Sequence, residues 1–173
     1  MKTRKIILMI LAVFAFGFVN AQEQTAKGKW LIEANTGNAM LGSTGFSFSS
    51  SDGSNQYNLG LDGGYFVADN LALKAGLGFG GYKDDFDDST IFSYRLGAKY
   101  YINGMIPLTL DLTGASIKDS VENPMWLGIG AGYAIFLGSN VSIEPGVRYN
   151  HSLNEDYTDK GIFQVNVGFA LHF

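Results

Sequence analysis

Few side chains in this chain could do chemistry, and the spacing of each set weighs against it. His151, Ser152 and Glu155 supply the parts of a hydrolytic site: a nucleophile, a base and an acid to orient the base. His and Ser are adjacent, however, and adjacent side chains of a strand point to opposite faces. Asp84, Asp85, Asp87 and Asp88 offer carboxylates for a divalent cation. A calcium-binding helix–loop–helix site also needs Gly at its sixth position and Glu at its twelfth, and neither start provides both. A solvated acidic loop is the plainer expectation. Gly76, Gly78 and Gly81 match the G-x-G-x-x-G pattern, but YKDDFDD follows where a phosphate-binding helix would begin. They read as strand glycines. His172 has no set of partners in the sequence and is expected at a rim. With no cysteine there is no thiolate nucleophile, thiolate metal site or disulfide. No cofactor or metal site is expected.

A different set of ionisable groups is spaced with more regularity. Glu33, Asp62, Lys74, Arg95, Lys99, Asp111, Glu144 and Arg148 are four acids and four bases. Each falls among apolar residues that alternate with period 2. Together they could line an ion path or form a structural plug. In a narrow interior, mixed signs compensate one another's desolvation, which favours the plug.

The elements that carry them are strands. Eight segments alternate, at about 29–36, 57–66, 71–82, 90–100, 107–115, 125–136, 141–150 and 162–173. Each has about ten residues, and ~9–11 tilted residues cross a bilayer as a strand. The gaps alternate as well. VADN, YINGMI and LGSN are short, and Asn103-Gly104 is a strong hairpin signal because both residues tolerate positive φ. TGNAMLGSTGFSFSSSDGSNQ, KDDFDDS, SIKDSVENP and HSLNEDYTDK are longer and polar. Short turns at one end and long loops at the other describe an all-β, eight-stranded antiparallel up-and-down barrel. LGLDGGY, GLGFGGY and LGIGAGY form a weak internal echo, one hairpin solution used repeatedly.

Which face is wet decides between a soluble and a membrane barrel. Trp30, Ile32, Leu59, Leu61, Leu73, Leu77, Leu96, Leu110, Val147, Tyr149 and their strand-mates make one uncharged, apolar face. The opposite face holds all eight charges, with Asn35, Asn58, Thr109, Gln164, Asn166 and many of the 23 glycines. An eight-stranded interior barely holds its own side chains, so it fits the glycine-rich face and not dozens of large apolar groups. A basic residue turned to lipid would cost ~2–4 kcal/mol near the midplane. The apolar face therefore goes to lipid and the charges to the lumen. Aromatics near the strand ends fit two interfacial belts, with Trp30, Tyr65, Tyr100 and Phe173 near one rim. Pro145 falls on the outward face and predicts a bulge or kink. MWLGIGAGYAIF carries no charge, so placing Trp126 and Phe136 inward rests on glycine placement alone.

The first 21 residues have a different task. Lys2, Arg4 and Lys5 precede an apolar run from Ile6 to Phe18, and Val19-Asn20-Ala21 places small residues before a cleavage site. The run is too short for a spanning helix, which needs ~20 apolar residues. Residues 1–21 are thus expected to be a secretory signal cleaved after Ala21, leaving 22–173 as one barrel domain. Without Lys2, Arg4 and Lys5 the chain keeps 9 basic against 16 acidic residues, a net charge of −7. That balance argues against nucleic acid as a partner.

The signal, the eight alternating strands, the unlike ends and the last strand VNVGFALHF resemble the small outer-membrane β-barrels of Gram-negative bacteria, the OmpA-like transmembrane domain and OmpX-like proteins nearest among them. The resemblance is architectural and covers the whole of 22–173. It implies an outer-membrane location and contact with outer-membrane lipid, including lipopolysaccharide, which the acidic loop could meet through bridging divalent ions. It also implies recognition of the last strand by the barrel-assembly machinery, here through Val165, Val167, Phe169, Leu171 and Phe173. The implied protein is a non-enzymatic monomer whose loops make adhesive or envelope contacts. A minor porin for small solutes is the alternative, and a lipid A-modifying hydrolase at His151 and Ser152 a third. Protein recovered from membranes is expected to have an intact mass that starts at Gln22; retention of Met1 would contradict this reading.

Overall fold

Alternation of large apolar residues with small or polar ones makes a strand that can wet one face and bury the other. In the computed structural model this pattern closes on itself. The structure describes residues 23–38, 41, 44–51, 54–83 and 88–173. The expected signal, its cleavage site, Asp84, Asp85, Asp87 and the Asp88 side chain lie outside the described residues.

Among the described residues ten strands form: β1 (Trp30–Asn35), β2 (Ser47–Ser51), β3 (Ser54–Ala68), β4 (Leu71–Lys83), β5 (Asp88–Ile102), β6 (Ile106–Ile117), β7 (Met125–Gly132), β8 (Ile135–Phe136), β9 (Val141–Ser152) and β10 (Ile162–His172). Neighbours pair antiparallel from β3 through β10, with β8 continuing the line of β7 along β9. β1 pairs with β10 on one side (Leu31–His172 to Asn35–Gly168) and with β3 on the other (Trp30–Tyr65 to Glu33–Asp62), which closes the barrel. The wall thus has eight staves. β2 is an addition that the sequence did not signal. It lies inside the long first loop and extends the sheet along the far half of β3, from Ser47–Asn58 to Ser51–Ser54.

The short turns obey the local chemistry. Asn103 (φ 51°) and Gly104 (φ 73°) take the left-handed conformations that a tight hairpin needs, and Asn70 does the same at 65°. Burial alternates residue by residue along β3 and β4 in the expected phase. β7 is settled by Trp126, which is fully buried, while Leu127 and Ile129 face out. Phe136 is partly buried against an interior apolar cluster. Pro145 does not produce a bulge. Gly132–Gly146 and Ile135–Ile143 keep one register across it. The interruption falls on the facing strand at Tyr133 and Ala134, whose N–H groups donate to Pro145 O and to Met105 O.

The first loop turns into the lumen before it forms β2. Thr44 is fully buried and its hydroxyl donates to Asp62. Phe46 emerges again through the wall, where its N–H donates to Asn35 O (2.7 Å) and its ring lies 6.3 Å from Phe169. Gly60 makes the seat for this excursion. A Cβ there would lie 2.6 Å from Thr44 O and 2.9 Å from the Cα of Gly78. Gly63, on the lipid side of the same strand, has nothing closer than 4.0 Å. Overpacking of a filled interior costs about 1–3 kcal/mol. Gly60→Val is therefore expected to lower the unfolding free energy measured in urea by about that amount and to expose the 37–46 segment to protease, while Gly63→Ala leaves both unchanged.

Candidate functional site

Period 2 sends every second side chain of eight strands into one narrow space, and there the charged residues meet. Glu33, Asp62, Lys74, Arg95, Lys99, Asp111, Glu144 and Arg148 are all buried. They come from six strands, so their separation in sequence says little of their closeness. Lys99 Nζ sits between Glu33 Oε2 at 2.6 Å and Glu144. Lys74 Nζ lies 3.0 Å from both Glu33 Oε2 and Asp62 Oδ2. Arg95 Nη1 donates to Asp62 Oδ2 at 2.8 Å, and its Nε lies 3.8 Å from Asp111 Oδ1. Asp111 in turn accepts both arms of the Arg148 guanidinium, at 2.7 and 2.5 Å, the two-pronged geometry that gives such pairs their strength. All four acids and all four bases belong to this one connected set.

Amides and hydroxyls continue it at both ends. Arg148 Nε donates to Asn150, whose amide donates to Gln164 (2.5 Å). Asn35 donates to Glu33 at 2.7 Å. At the other end Glu144 Oε1 accepts from Tyr101 (2.8 Å) and Ser142 (2.9 Å). Gly128 leaves the space that Arg148 fills, since a Cβ on it would collide with the guanidinium. Between the charged groups the lumen keeps a cavity of about 50 Å³, room for a few waters.

Below the charges, toward the short turns, the filling is apolar. Leu31, Phe66, Ala72, Tyr101, Ala134 and Ala170 make a fully buried cluster. The chain entering β1 covers it: Gly28 N–H donates to Phe66 O, and the Thr25 hydroxyl donates to Asn70 Oδ1 at 2.6 Å. Sequence reasoning missed this floor. The parity that sends Tyr65 and Tyr100 outward sends Phe66 and Tyr101 inward, and that signal was available.

His172 is not a rim residue. It is fully buried among Phe66, Tyr101 and Phe136, with ring centroids 5.3–6.3 Å away, and its Nε2 is 3.1 Å from Ser142 Oγ. Its partners lie on β3, β5, β8 and β9, which is why inspection of its own strand found none. Ser142, His172 and Glu144 are near one another, but the serine hydroxyl is directed to the carboxylate and the glutamate does not orient the imidazole. A serine nucleophile needs the reverse order. His151 and Ser152 fall on opposite faces: His151 is exposed outside, and Ser152 is buried and donates to Asn154 O at 3.0 Å. Gly76, Gly78 and Gly81 all lie within β4. Val165, Phe169, Leu171 and Phe173 are exposed on the lipid face, with Val167 partly so. No group of acids and histidines among the described residues has the arrangement of a metal site.

Solved structures share this fold, two of them at a TM-score above 0.5. The N-terminal β-barrel domain of Pseudomonas aeruginosa OprF matches with a TM-score of 0.52 and 19% identity, covering 85% of this chain and 98% of that one. The Yersinia pestis outer membrane protein Ail, in a phospholipid bilayer nanodisc, matches with a TM-score of 0.51 and 17% identity, covering 85% and 100%. A comparison with curated proteins returns no match. The family model described as "Outer membrane protein beta-barrel domain" matches residues 9–173. The chain is an eight-stranded barrel that belongs to this outer-membrane protein family.

Proposed function

We propose that the protein is a closed barrel whose work is done on its outer surface and not through its lumen. The observation that carries this reading is double occlusion: a connected set of buried ion pairs above an apolar floor of fully buried side chains. Eight strands enclose little more than their own side chains, and the small volume left between the charged groups, about 50 Å³, supports the reading. The long loops and the strand ends that carry them hold ten acidic and three basic residues, which suits contacts with cationic or divalent-bridged partners, lipopolysaccharide among them. The placement of His151 and Ser152 on opposite faces of β9 suits a non-enzymatic role. Secretion by a signal cleaved after Ala21, handling by the barrel-assembly machinery through Val165, Val167, Phe169, Leu171 and Phe173, and a monomeric state belong to the same proposal.

Single-channel recording on purified, refolded protein is expected to show rare, small events of weak selectivity; steady, large and selective currents would instead make it a porin. Deletion of residues 84–88 is expected to alter binding to calcium-bridged lipopolysaccharide vesicles without lowering the unfolding midpoint. The plug itself is testable by urea unfolding. Arg95→Leu leaves Asp62 and Asp111 short of a cation, and breaking one side of a buried pair costs ~3–5 kcal/mol. Leu73→Phe on the lipid face is expected to be nearly neutral, and equal sensitivity at the two sites would overturn the assignment of inside and outside.

A further inference from the structure

β1 is shorter than the strands beside it, and its end leaves a slot in the wall. Its pairing with β10 runs up to Asn35–Gly168 and ends where Thr36 N–H donates to Val167 O and Val167 N–H donates to the Thr36 hydroxyl, both at 2.9 Å. Beyond that point Phe163 and Val165 of β10 continue without a ladder on this side among the described residues. On the other side stands β2. A parallel bridge, Thr36–Phe46, joins its base to the end of β1, and its own ladder is with β3. The chain at Gly37 and Asn38 leaves the wall between the two. The slot is one strand wide, and its rails are two sheet edges.

Main-chain direction alternates along a strand, so the groups that face the slot can be assigned. Val167 and Phe173 direct their N–H and C=O to β1; Phe163 and Val165 share that parity. Phe46 N–H points to Asn35 O, and Phe48 and Ser50 share its parity. The exposures agree. Val165 is 77% and Phe48 76% accessible, against 43% for Phe169 and 47% for Leu171 where β1 is present. The slot encloses about 440 Å³ lined by Asn38, Ser47, Ser49, Gln56 and Gln164 toward the lumen and by Val165 toward lipid. β10 is apolar outward from Phe173 to Phe163, so the slot lies at the level of the outer part of the bilayer. Open sheet edges are not tolerated in hydrocarbon, because nothing there satisfies their hydrogen bonds.

We propose that the slot between β10 and β2 is a binding site for an extended peptide segment that enters as the missing upper half of β1. It runs in the direction of β1, antiparallel to β10 and parallel to β2, and bonds to both edges. Its side chains alternate, polar ones toward Gln164, Ser49 and Gln56 and apolar ones between Val165 and Phe48. A lipid headgroup could satisfy scattered polar atoms but not two ladders one strand apart. Backbone pairing supplies the affinity and the alternation supplies the selectivity, as in strand addition generally.

Amide hydrogen exchange on the full chain in detergent micelles tests this, with a synthetic heptapeptide of alternating valine and threonine as probe. In the free protein, the amides of Phe163 and Val165 are expected to exchange at least about tenfold faster than those of Val167 and Phe169. The peptide is expected to slow Phe163 and Val165 to the rates of their neighbours, and the same peptide methylated on every backbone nitrogen is expected to leave them fast. Equal protection of all four amides in the free protein would mean that the slot is already filled and overturns the proposal. An equal effect of the methylated peptide would reduce the interaction to apolar partition. Protection on adding lipopolysaccharide without peptide would make the occupant a lipid.

Discussion

The interior of an eight-stranded barrel is barely wider than its own side chains, and every other feature here answers to that constraint. Charges in such a space are tolerable only in interlocked, hydrogen-bonded sets, since the desolvation of an ion can exceed what a single neighbour returns. The chain meets this with four acids and four bases that interlock, Asp62 and Glu33 each shared between two cations. Glycines opposite the long side chains follow from the same limit. Arg148 can reach Asp111 in two-pronged fashion only because residue 128 has no side chain.

The filling changes character along the axis. Toward the long loops it ends in amides, Asn150 and Gln164; toward the short turns it passes from Glu144 through Tyr101 and Ser142 to a dry aromatic floor. Tyr101 stands at the junction, its hydroxyl on the carboxylate and its ring among Phe66 and His172. A mixed residue suits a boundary between polar and apolar packing. The first loop contributes from above, where Thr44 reaches Asp62. That excursion takes the chain out of the wall after Asn35, and the short β1 and the slot beside it are its counterpart in the sheet.

What could be read in the sequence was whatever depended on parity. The alternation of Leu59, Leu61, Leu73 and Leu77 with glycines and charges defines the staves, and the position of each charge on its stave places it inside. Even Trp126 could be placed by the phase of Gly128 and Gly130. What could not be read depended on chain crossings. Residues 37–56 are rich in serine and glycine and carry no clear period, so neither the inward turn at Thr44 nor β2 is signalled. His172 has its neighbours on four other strands, at separations no local pattern encodes. Pro145 was a sound warning of a lost hydrogen bond, but the adjustment fell on Tyr133 and Ala134 of the facing chain.

The distribution of charge along the barrel axis has an electrical meaning. The wall encloses four acids and four bases, and the short-turn end adds Glu23 and Asp69 against Lys27 and Lys29. Both sums are zero, so the whole excess of −7 in residues 22–173 resides in the long loops. An electric potential across a membrane does work of ~2.3 kcal/mol per 100 mV on each elementary charge that moves through it. A barrel with no net charge between its rims gives such a potential almost nothing to act on. Its loops, held outside the field, carry a fixed anionic layer whose reach is set by ionic strength.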